Sequence, residues 1–289
     1  MENPDLDELL AGSIDMHLHI GPDEMDTRVT GLQAAEQAAE VGMKAIVLKN
    51  HSYPTTSVAV LVRELVLDVK VFGGICLDYE IGGLNIDALQ KHARIGVKVA
   101  WMPTFSSKNS RAKMRALGLQ FDGEGFSILN DNAKLVPEID PLLDIIKQHD
   151  IVLATGHMSP AEIFALVESA RKKNIEKIVI THPSDGEFME IILTVEELRK
   201  LAGMGAFIEQ TTVTLLPTEF YRSPQERVEM IRAIGVEHCI MSTDLGQYWN
   251  PYPAEGFRFF MAILLRNGLS PEDIEIMAKK NPSCLLGLD

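Results

Sequence analysis

The chain has 289 residues, of which 46% are hydrophobic and 24% are charged, a balance that suits one large folded core with an ordinary polar surface. The formal net charge is −14 at pH 7. Such a surface repels phosphate backbones, so we expect no nucleic-acid partner.

The start of the chain and the cysteines bear on its environment. The sequence MENPDLDELL is acidic and lacks the basic stretch and apolar run of a signal peptide. Apolar runs stay short of the ~18 residues that a membrane span needs, so we expect no membrane partner. The three cysteines are far apart and lack CxxC spacing, which argues against disulfides and thiolate zinc sites. We therefore expect a cytoplasmic protein that acts on a small molecule, and a homo-oligomer is compatible with the sequence.

Short apolar runs alternate with amphipathic segments along the whole chain. Many of the runs are β-branched and flanked by Gly or Pro, as buried parallel strands tend to be. Eight of them predict a single α/β domain over 1–289, a (β/α)8 TIM barrel. An open doubly wound sheet is disfavoured, because the first strand ends in HLHIGPD and not in a Gly-rich phosphate loop. The predicted strands are 13–20, 44–51, 70–77, 97–105, 151–158, 177–184, 205–212 and 239–246.

Several helices between these strands carry recognisable ends. Four Ser or Thr residues precede an acidic residue three positions later, which predicts capping boxes at Ser159, Thr194, Ser223 and Ser270. Glycines that predict helix ends before the next strand are Gly42, Gly96, Gly205 and Gly235.

A long insertion is predicted after the fourth strand. About 45 residues separate this strand from the fifth, more than a simple connection needs. Within it, the stretch 123–138 predicts a hairpin that turns at Asp131–Asn132. Residues 106–140 leave the catalytic end of a barrel strand, so they are interpreted either as a lid or as a decorative subdomain or oligomer contact.

Five of the eight histidines lie at or near the carboxyl ends of predicted strands. They come from strands one, two, five and six, and strand eight adds Asp244 at the same end. These ends converge on one pocket in a barrel. Imidazole nitrogens suit Zn, and also Mn, Fe, Ni or Co, while a carboxylate adds an anionic ligand and a proton acceptor. The five histidines are His17, His19, His51, His157 and His182.

Four motifs resemble the amidohydrolase superfamily in their order: DMHLH (15–19), TGH (155–157), THP (181–183) and STD (242–244). The tail AKKNPSCLLGL (278–288) is similar to that family's closing helix. The resemblance implies a (β/α)8 barrel with one or two divalent metal ions and hydrolysis of C–N, C–O or P–O bonds. Some relatives are decarboxylases or isomerases. The implied metal ligands are His17, His19, His157, His182 and Asp244.

The sequence departs from this pattern on strand four, where two-metal members carry a bridging Lys or Glu and this chain reads VKVAWMPTF. Lys49 on strand two is an alternative bridge if its neutral amine binds CO2. A substrate-binding cation and a structural ion pair remain open for Lys49. His51 is an extra metal ligand, a substrate contact or a turn residue.

Positive groups near the predicted mouth suit an anionic substrate. Arg28 follows strand one, and Lys108 begins the insertion. The sequence therefore predicts a hydrolase that uses activated water on a small anionic amide, ester or lactone. Asp244 would carry the proton, and His182, or His157 if fewer ligands hold the metal, would stabilise the oxyanion. The alternatives are a one-metal decarboxylase, a phosphoesterase and a non-catalytic barrel.

Overall fold

The computed structural model describes residues 5–118, 123–183, 193–216 and 223–288. Its eight strands follow the predicted order but are shorter than predicted. They are β1 (Ile14–His19), β2 (Ala45–Lys49), β3 (Lys70–Cys76), β4 (Val99–Trp101), β5 (Val152–Ala154), β6 (Ile178–Ile180), β7 (Phe207–Thr211) and β8 (Cys239–Ser242). The last residue of the predicted sixth strand, 184, lies outside the described residues.

Helices separate the strands throughout. They are α1 (Leu6–Leu10), α2 (Gly31–Glu40), α3 (Thr56–Leu65), α4 (Ile86–Ile95), α5 (Lys108–Ala116), α6 (Ile139–Gln148), α7 (Pro160–Lys172), α8 (Val195–Gly203), α9 (Pro224–Ile234), α10 (Pro253–Arg266), α11 (Pro271–Glu275) and α12 (Asn281–Leu286). Among the described residues, none of these helices combines the length and apolar character needed to cross a bilayer.

The strands form one eight-stranded sheet in the order β1 to β8, and the resolved pairings are parallel. Strand β8 runs beside β1, since the backbone N–H of Asp244 donates to the carbonyl of His17 at 2.8 Å and Leu18 bridges Leu245 in parallel. The predicted (β/α)8 barrel is confirmed. Parallel strands with helical crossovers require this alternation of buried strand and amphipathic helix.

The chain divides into two compact halves. The first half comprises Met1–Asn50, Thr55–Gly73 and Gln210–Asp289. In it, β1 and β2 are buried along their whole length, and β1 pairs with β2 through Ile14–Ala45 and His19–Lys49.

The second half comprises His51–Pro54 and Gly74–Glu209. Strand β4 lies between β3 and β5, with Trp101 beside Cys76 and Ala154. The indole of Trp101 packs so closely on Gly74 that a Cβ there would lie 2.2 Å from it. This contact explains why β3 carries glycine at that position.

Most of the predicted helix caps are confirmed. Reciprocal capping boxes form at Ser159, Thr194 and Ser270. At Ser223 the side chain accepts only a long 3.5 Å bond from the backbone of Glu226. A further capping box at Thr30, which closes on Gln33 and starts α2, was not predicted, although Thr30-Gly-Leu-Gln33 fits the motif.

The connection from β4 to β5 contains helix α5, the predicted hairpin and helix α6. Leu129 bridges Leu135 in antiparallel fashion, and the N–H of Asn130 donates to the carbonyl of Lys134, so the hairpin turns where predicted. Its base is fastened to α7: Glu162 accepts from the hydroxyl of Ser127 at 2.6 Å and the N–H of Ile128 at 2.9 Å. The lid interpretation of 106–140 stays a prediction.

Candidate metal centre

Three of the predicted ligands and Lys49 meet in the first half, at the carboxyl ends of β1, β2 and β8. Asp244 Oδ1 lies 3.0 Å from His17 Nε2 and 2.9 Å from His19 Nε2. The Nζ atom of Lys49 lies 2.8 Å from the same Nε2 of His17. All four residues are buried. The HxH motif therefore points both imidazoles to one side of β1, as strand alternation requires.

A second carboxylate, that of Asp15, connects β1 to the segment that follows β8. Its Oδ1 accepts the backbone N–H groups of His17 at 3.1 Å and Thr243 at 3.0 Å, and its Oδ2 accepts the Thr243 hydroxyl. Burial raises the pKa of Asp15 to about 7, although these hydrogen bonds act in the opposite direction. Asp15 thus ties β1 to β8 next to His17 and Asp244. We assigned it no role from the sequence, although it shares the strand parity of His17 and His19.

The imidazole of His19, which belongs to this cluster, is uncharged at neutral pH. Burial lowers its pKa to about 4, and the nearby Lys49 charge acts in the same direction, while the hydrogen bond to Asp244 opposes it. A neutral imidazole offers the lone pair that a metal ion needs. The chemistry of the site therefore favours metal binding at neutral pH.

Asp244 adopts a left-handed backbone, with φ of 54°. Side-chain-bearing residues rarely adopt this conformation, and Asp and Asn tolerate it best. Because β8 ends at Ser242, the backbone of Asp244 leaves the regular strand and turns its carboxylate toward His17 and His19. Such local strain tends to cluster at functional sites.

The second half places His157 and His182 next to each other. Their ring centroids are 5.1 Å apart, and Phe105 contacts His157 at 5.8 Å. The hydroxyl of Ser107 and the amide of Asn109 both donate to the carbonyl of His157. These two hydrogen bonds hold the turn after β5 in place.

His182 follows β6 and has a φ of 21°. Its backbone N–H donates to Glu209 Oε2 on β7 at 3.2 Å, and both residues are buried. Glu209 therefore positions the turn that carries His182.

His51 belongs to a polar chain that the sequence did not reveal. Its Nδ1 lies 2.9 Å from the Thr104 hydroxyl, which donates to the buried carboxylate of Asp78. Donor atoms of His51, Cys76 and Asp78 lie within 4.8 Å of one another. An Asp just past the carboxyl end of β3 was the signal that could have identified Asp78, since polar residues at that end of parallel strands face the mouth.

The two cationic residues that were predicted to bind an anionic substrate differ in their surroundings. Arg28 is half-buried, and its guanidinium lies 5.0 Å from the ring of Tyr252 and 5.7 Å from that of Tyr248. Lys108 is exposed at the start of α5. Arg28 is thus held by aromatic contacts, whereas Lys108 reaches solvent.

The departure on β4 has a clear structural counterpart. Trp101 and Met102 are buried at the end of this strand. Lys98, at the strand's start, lies 3.1 Å from the exposed carboxylate of Asp150. In the described part of this strand, no Lys or acidic residue therefore stands where a bridging ligand would be needed.

The donor atoms of the first half fit a divalent ion. Ligand atoms about 2.1 Å from one metal ion lie about 3.0 Å apart in octahedral and about 3.4 Å apart in tetrahedral coordination. The nitrogen–oxygen separations of 3.0 and 2.9 Å around Asp244 Oδ1 are at the short end of this range. Two imidazoles with one carboxylate form a donor set that suits zinc and neighbouring transition metals.

Comparisons with solved structures support the fold. An amidohydrolase from Pseudomonas aeruginosa superposes with a TM-score of 0.68 at 12% identity, covering 98% of both chains. A lactonase from Listeria monocytogenes gives 0.61 at 11% identity, with 97% of this chain and 95% of that chain covered. A 2,6-dihydroxybenzoate decarboxylase from Rhizobium gives 0.60 at 12% identity, with 96% and 99% covered.

At these identities the comparisons establish the barrel fold that these proteins share. A search of curated proteins gave no match. One family model matches residues 12–209, which span His17, His19, Lys49, His51, His157 and His182. This match covers more than half of the chain, and the chain therefore belongs to that family, which is described as a family of unknown function (DUF6282).

Proposed function

We propose that the protein is a metal-dependent hydrolase that uses an activated water on a small anionic amide, ester or lactone. The observation that carries the proposal is the buried cluster of His17, His19 and Asp244 with Lys49 beside it. The fold shared with an amidohydrolase and a lactonase supports it. Burying so many polar and charged groups close together costs stability, and such clusters are found mainly at active sites.

His17, His19 and Asp244 would hold the ion from the first half. We assign His157 and His182 to the same centre, because the carboxyl ends of all strands open at one face of a (β/α)8 barrel. We expect zinc, with Mn, Fe, Ni or Co as substitutes, in one or two equivalents. A divalent ion bound there supplies Lewis acidity, which lowers the pKa of water and polarises a carbonyl or phosphoryl group.

Asp244 is the residue that we assign to proton transfer. Its carboxylate is buried beside two imidazoles, and a carboxylate is a group that can accept a proton from water. His182 would donate a hydrogen bond to the developing oxyanion, with Glu209 holding its backbone.

Lys49 supplies a buried positive charge to the same cluster. The His17 Nε2 atom has one lone pair, so a hydrogen bond from the Lys49 ammonium and a bond to a metal ion exclude each other there. Metal binding therefore requires Lys49 to turn its ammonium away or to lose its charge. In the first case the ammonium can pair with a substrate carboxylate, and in the second a carbamate can form.

A decarboxylase is the second candidate, and the end of β4 favours it. Trp101 and Met102 stand where a bridging Lys or Glu would permit two metal ions. A one-metal centre is compatible with removal of CO2 as well as with hydrolysis. A decarboxylase is among the proteins that share the fold.

The test is a panel of carboxylate-bearing lactones, esters and amides, with phosphomonoesters and aromatic carboxylic acids as alternatives. We expect turnover of a lactone, ester or amide that chelation abolishes and zinc restores, without release of CO2. CO2 release would favour the decarboxylase. Hydrolysis that survives complete removal of metal would contradict the proposal, and the exposed-site variant Asp150→Asn serves as the control that keeps full activity.

A further inference from the structure

Arg28 forms no ion pair with a carboxylate of the described residues. It lies between β1 and α2, where its backbone N–H donates to the carbonyl of Gly246 at 2.7 Å. Its side-chain Nε atom is buried and has no hydrogen-bond acceptor in the part of the chain that the structure describes. A buried N–H donor without an acceptor costs stability, because it has lost its hydrogen bond to water. The Nε–H group of Arg28 is therefore available to an acceptor that a ligand brings.

The segment that carries Arg28 adjoins the candidate metal centre. Thr27 bridges Gln247 in antiparallel fashion, so residues that follow β1 pair with residues that follow β8. Gly246 lies so close to His19 that a Cβ there would be 2.0 Å from the His19 carbonyl oxygen. Because Gly246 contacts both Arg28 and His19, Arg28 is held at the same end of the barrel as the imidazoles of β1.

Two tyrosines hold the guanidinium of Arg28. Its Cζ atom lies over the ring of Tyr252, 5.0 Å from the ring centre, and over the ring of Tyr248 at 5.7 Å. Attraction between a cation and a ring face uses the charge of the guanidinium and none of its N–H protons. Both tyrosines are exposed, so the site is open to solvent. The rings therefore fix the position of the cation and leave its hydrogen-bond donors for a ligand.

The charges around Arg28 favour a carboxylate over a phosphate group as its ligand. Asp23, Glu24 and Asp26 precede it in the same segment, and the formal net charge of the chain is −14. A phosphate dianion beside these acidic residues meets more repulsion than a carboxylate, which carries a single negative charge. The Nε–H and the neighbouring Nη–H of an arginine also match the two oxygens of a carboxylate in spacing. The ligand that suits this site best is therefore a carboxylate.

We infer that Arg28 is a specificity-determining residue that binds the carboxylate of the substrate, away from the bond that is broken at the metal ion. Nε–H and one Nη–H donate to the two carboxylate oxygens, while Tyr248 and Tyr252 hold the guanidinium. This inference rests on the proposed function, since it identifies the group that recognises the negative charge of a small anionic amide, ester or lactone. Removing such a pair of charge-assisted hydrogen bonds lowers affinity about tenfold to hundredfold.

The contact is tested by NMR of zinc-loaded protein labelled with 15N-arginine, with Arg28→Lys to assign the Nε–H signal. The probes are succinate, glutarate and adipate, whose two carboxylates lie at increasing distance from each other. We expect at least one of them to shift the Arg28 Nε–H proton to higher frequency in a saturable manner. Arg63 is the internal control, because its Nε already donates to the carbonyl of Ala59 at 3.1 Å. An Arg28 signal that none of the three acids shifts would overturn the inference.

Affinity is measured by calorimetry, in which each diacid is compared with the monocarboxylate of equal chain length: butyrate, pentanoate or hexanoate. The diacid that shifts the signal should have a Kd about tenfold to hundredfold lower than its partner. Arg28→Met should abolish this preference, and Arg28→Lys should reduce it, because lysine keeps the charge but lacks the paired N–H donors. Arg63→Met should keep it, and Tyr252→Leu should weaken it more than Tyr252→Phe, which retains the ring. An unchanged preference in both Arg28 variants, with only Tm lowered, would show that Arg28 is structural and refute the inference.

Two further results would also contradict the assignment. Inorganic phosphate that shifts the Arg28 signal at a lower Kd than every diacid would show a phosphate site. A preference that is lost in Lys49→Met and kept in Arg28→Met would assign the carboxylate to Lys49. These readouts need no turnover, so failure of the hydrolase proposal in the substrate panel is a separate result.

Discussion

Asp244 offers a sharp test, because its charge and its backbone conformation can be separated. Asn retains the shape and tolerates the φ of 54°, whereas Ala does not tolerate it well. Both changes remove the carboxylate, and we expect turnover to fall about 10²–10⁴-fold in each, the range for loss of a general base. Only Asp244→Ala should add backbone strain of ~1–2 kcal/mol, which lowers Tm by about 2–8 °C relative to Asp244→Asn for a chain of this size.

Asp150 provides a matched control, since its φ is 52° and its carboxylate is exposed beside Lys98 and Lys177. Asp150→Asn and Asp150→Ala should differ in Tm in the same direction, while both keep wild-type turnover. The assays are thermal unfolding and steady-state kinetics on a substrate from the panel. If Asp244→Asn retained more than about a tenth of wild-type turnover, far above the loss expected for a general base, the proton-transfer role would be refuted.

Three further outcomes follow from the structure. Lys49→Met should stay folded and impair catalysis. Full metal content with a raised KM indicates that Lys49 binds the substrate, whereas loss of one of two metal ions indicates a carbamate on Lys49. Unchanged metal content and unchanged kinetics would show that Lys49 has a structural role. The described parts of 106–140 should exchange their amide hydrogens faster than the strands do, and this exchange should slow when zinc and glycolate are added. Exchange as slow as that of the strands, with no change on adding the ligands, would refute the interpretation of 106–140 as a lid. Thiol reagents at pH 8 should modify exposed Cys284 first, because Cys76 is buried and burial raises the pKa of Cys239 to about 12, and a fast-reacting thiol in Cys284→Ser would contradict this.

The barrel could be predicted from the sequence because each strand is a short apolar run between capped helices. Strand ends were predicted too far toward the carboxyl side. His157, His182 and Asp244 all lie beyond the last residue of their strands, because their backbones leave the ladder to enter turns. Asp and His adopt positive φ more often than most residues, but residue type alone does not predict it at His182 and Asp244.

The close approach of His17, His19 and Asp244 could be predicted in part, because the HxH spacing fixes the side of β1 that both imidazoles take; their role as metal ligands stays a prediction. The supporting residues could not. Asp15, Asp78 and Thr104 act through hydrogen bonds to residues far away in the sequence, such as Asp15 to Thr243 and Asp78 to Thr104. Spacing along one strand predicts which face a side chain takes, but not which neighbouring strand supplies its partner.

Anomalous diffraction from crystals of the metal-loaded protein, recorded on both sides of the zinc absorption edge, tests the metal centre most directly. We predict a peak within about 2–2.3 Å of His17 Nε2, His19 Nε2 and an oxygen of Asp244, the distances of zinc–nitrogen and zinc–oxygen bonds. We expect the peak to weaken strongly in His17→Ala. Crystals grown with excess zinc that show no peak at these three residues, or a peak elsewhere in the barrel, would contradict the proposed centre.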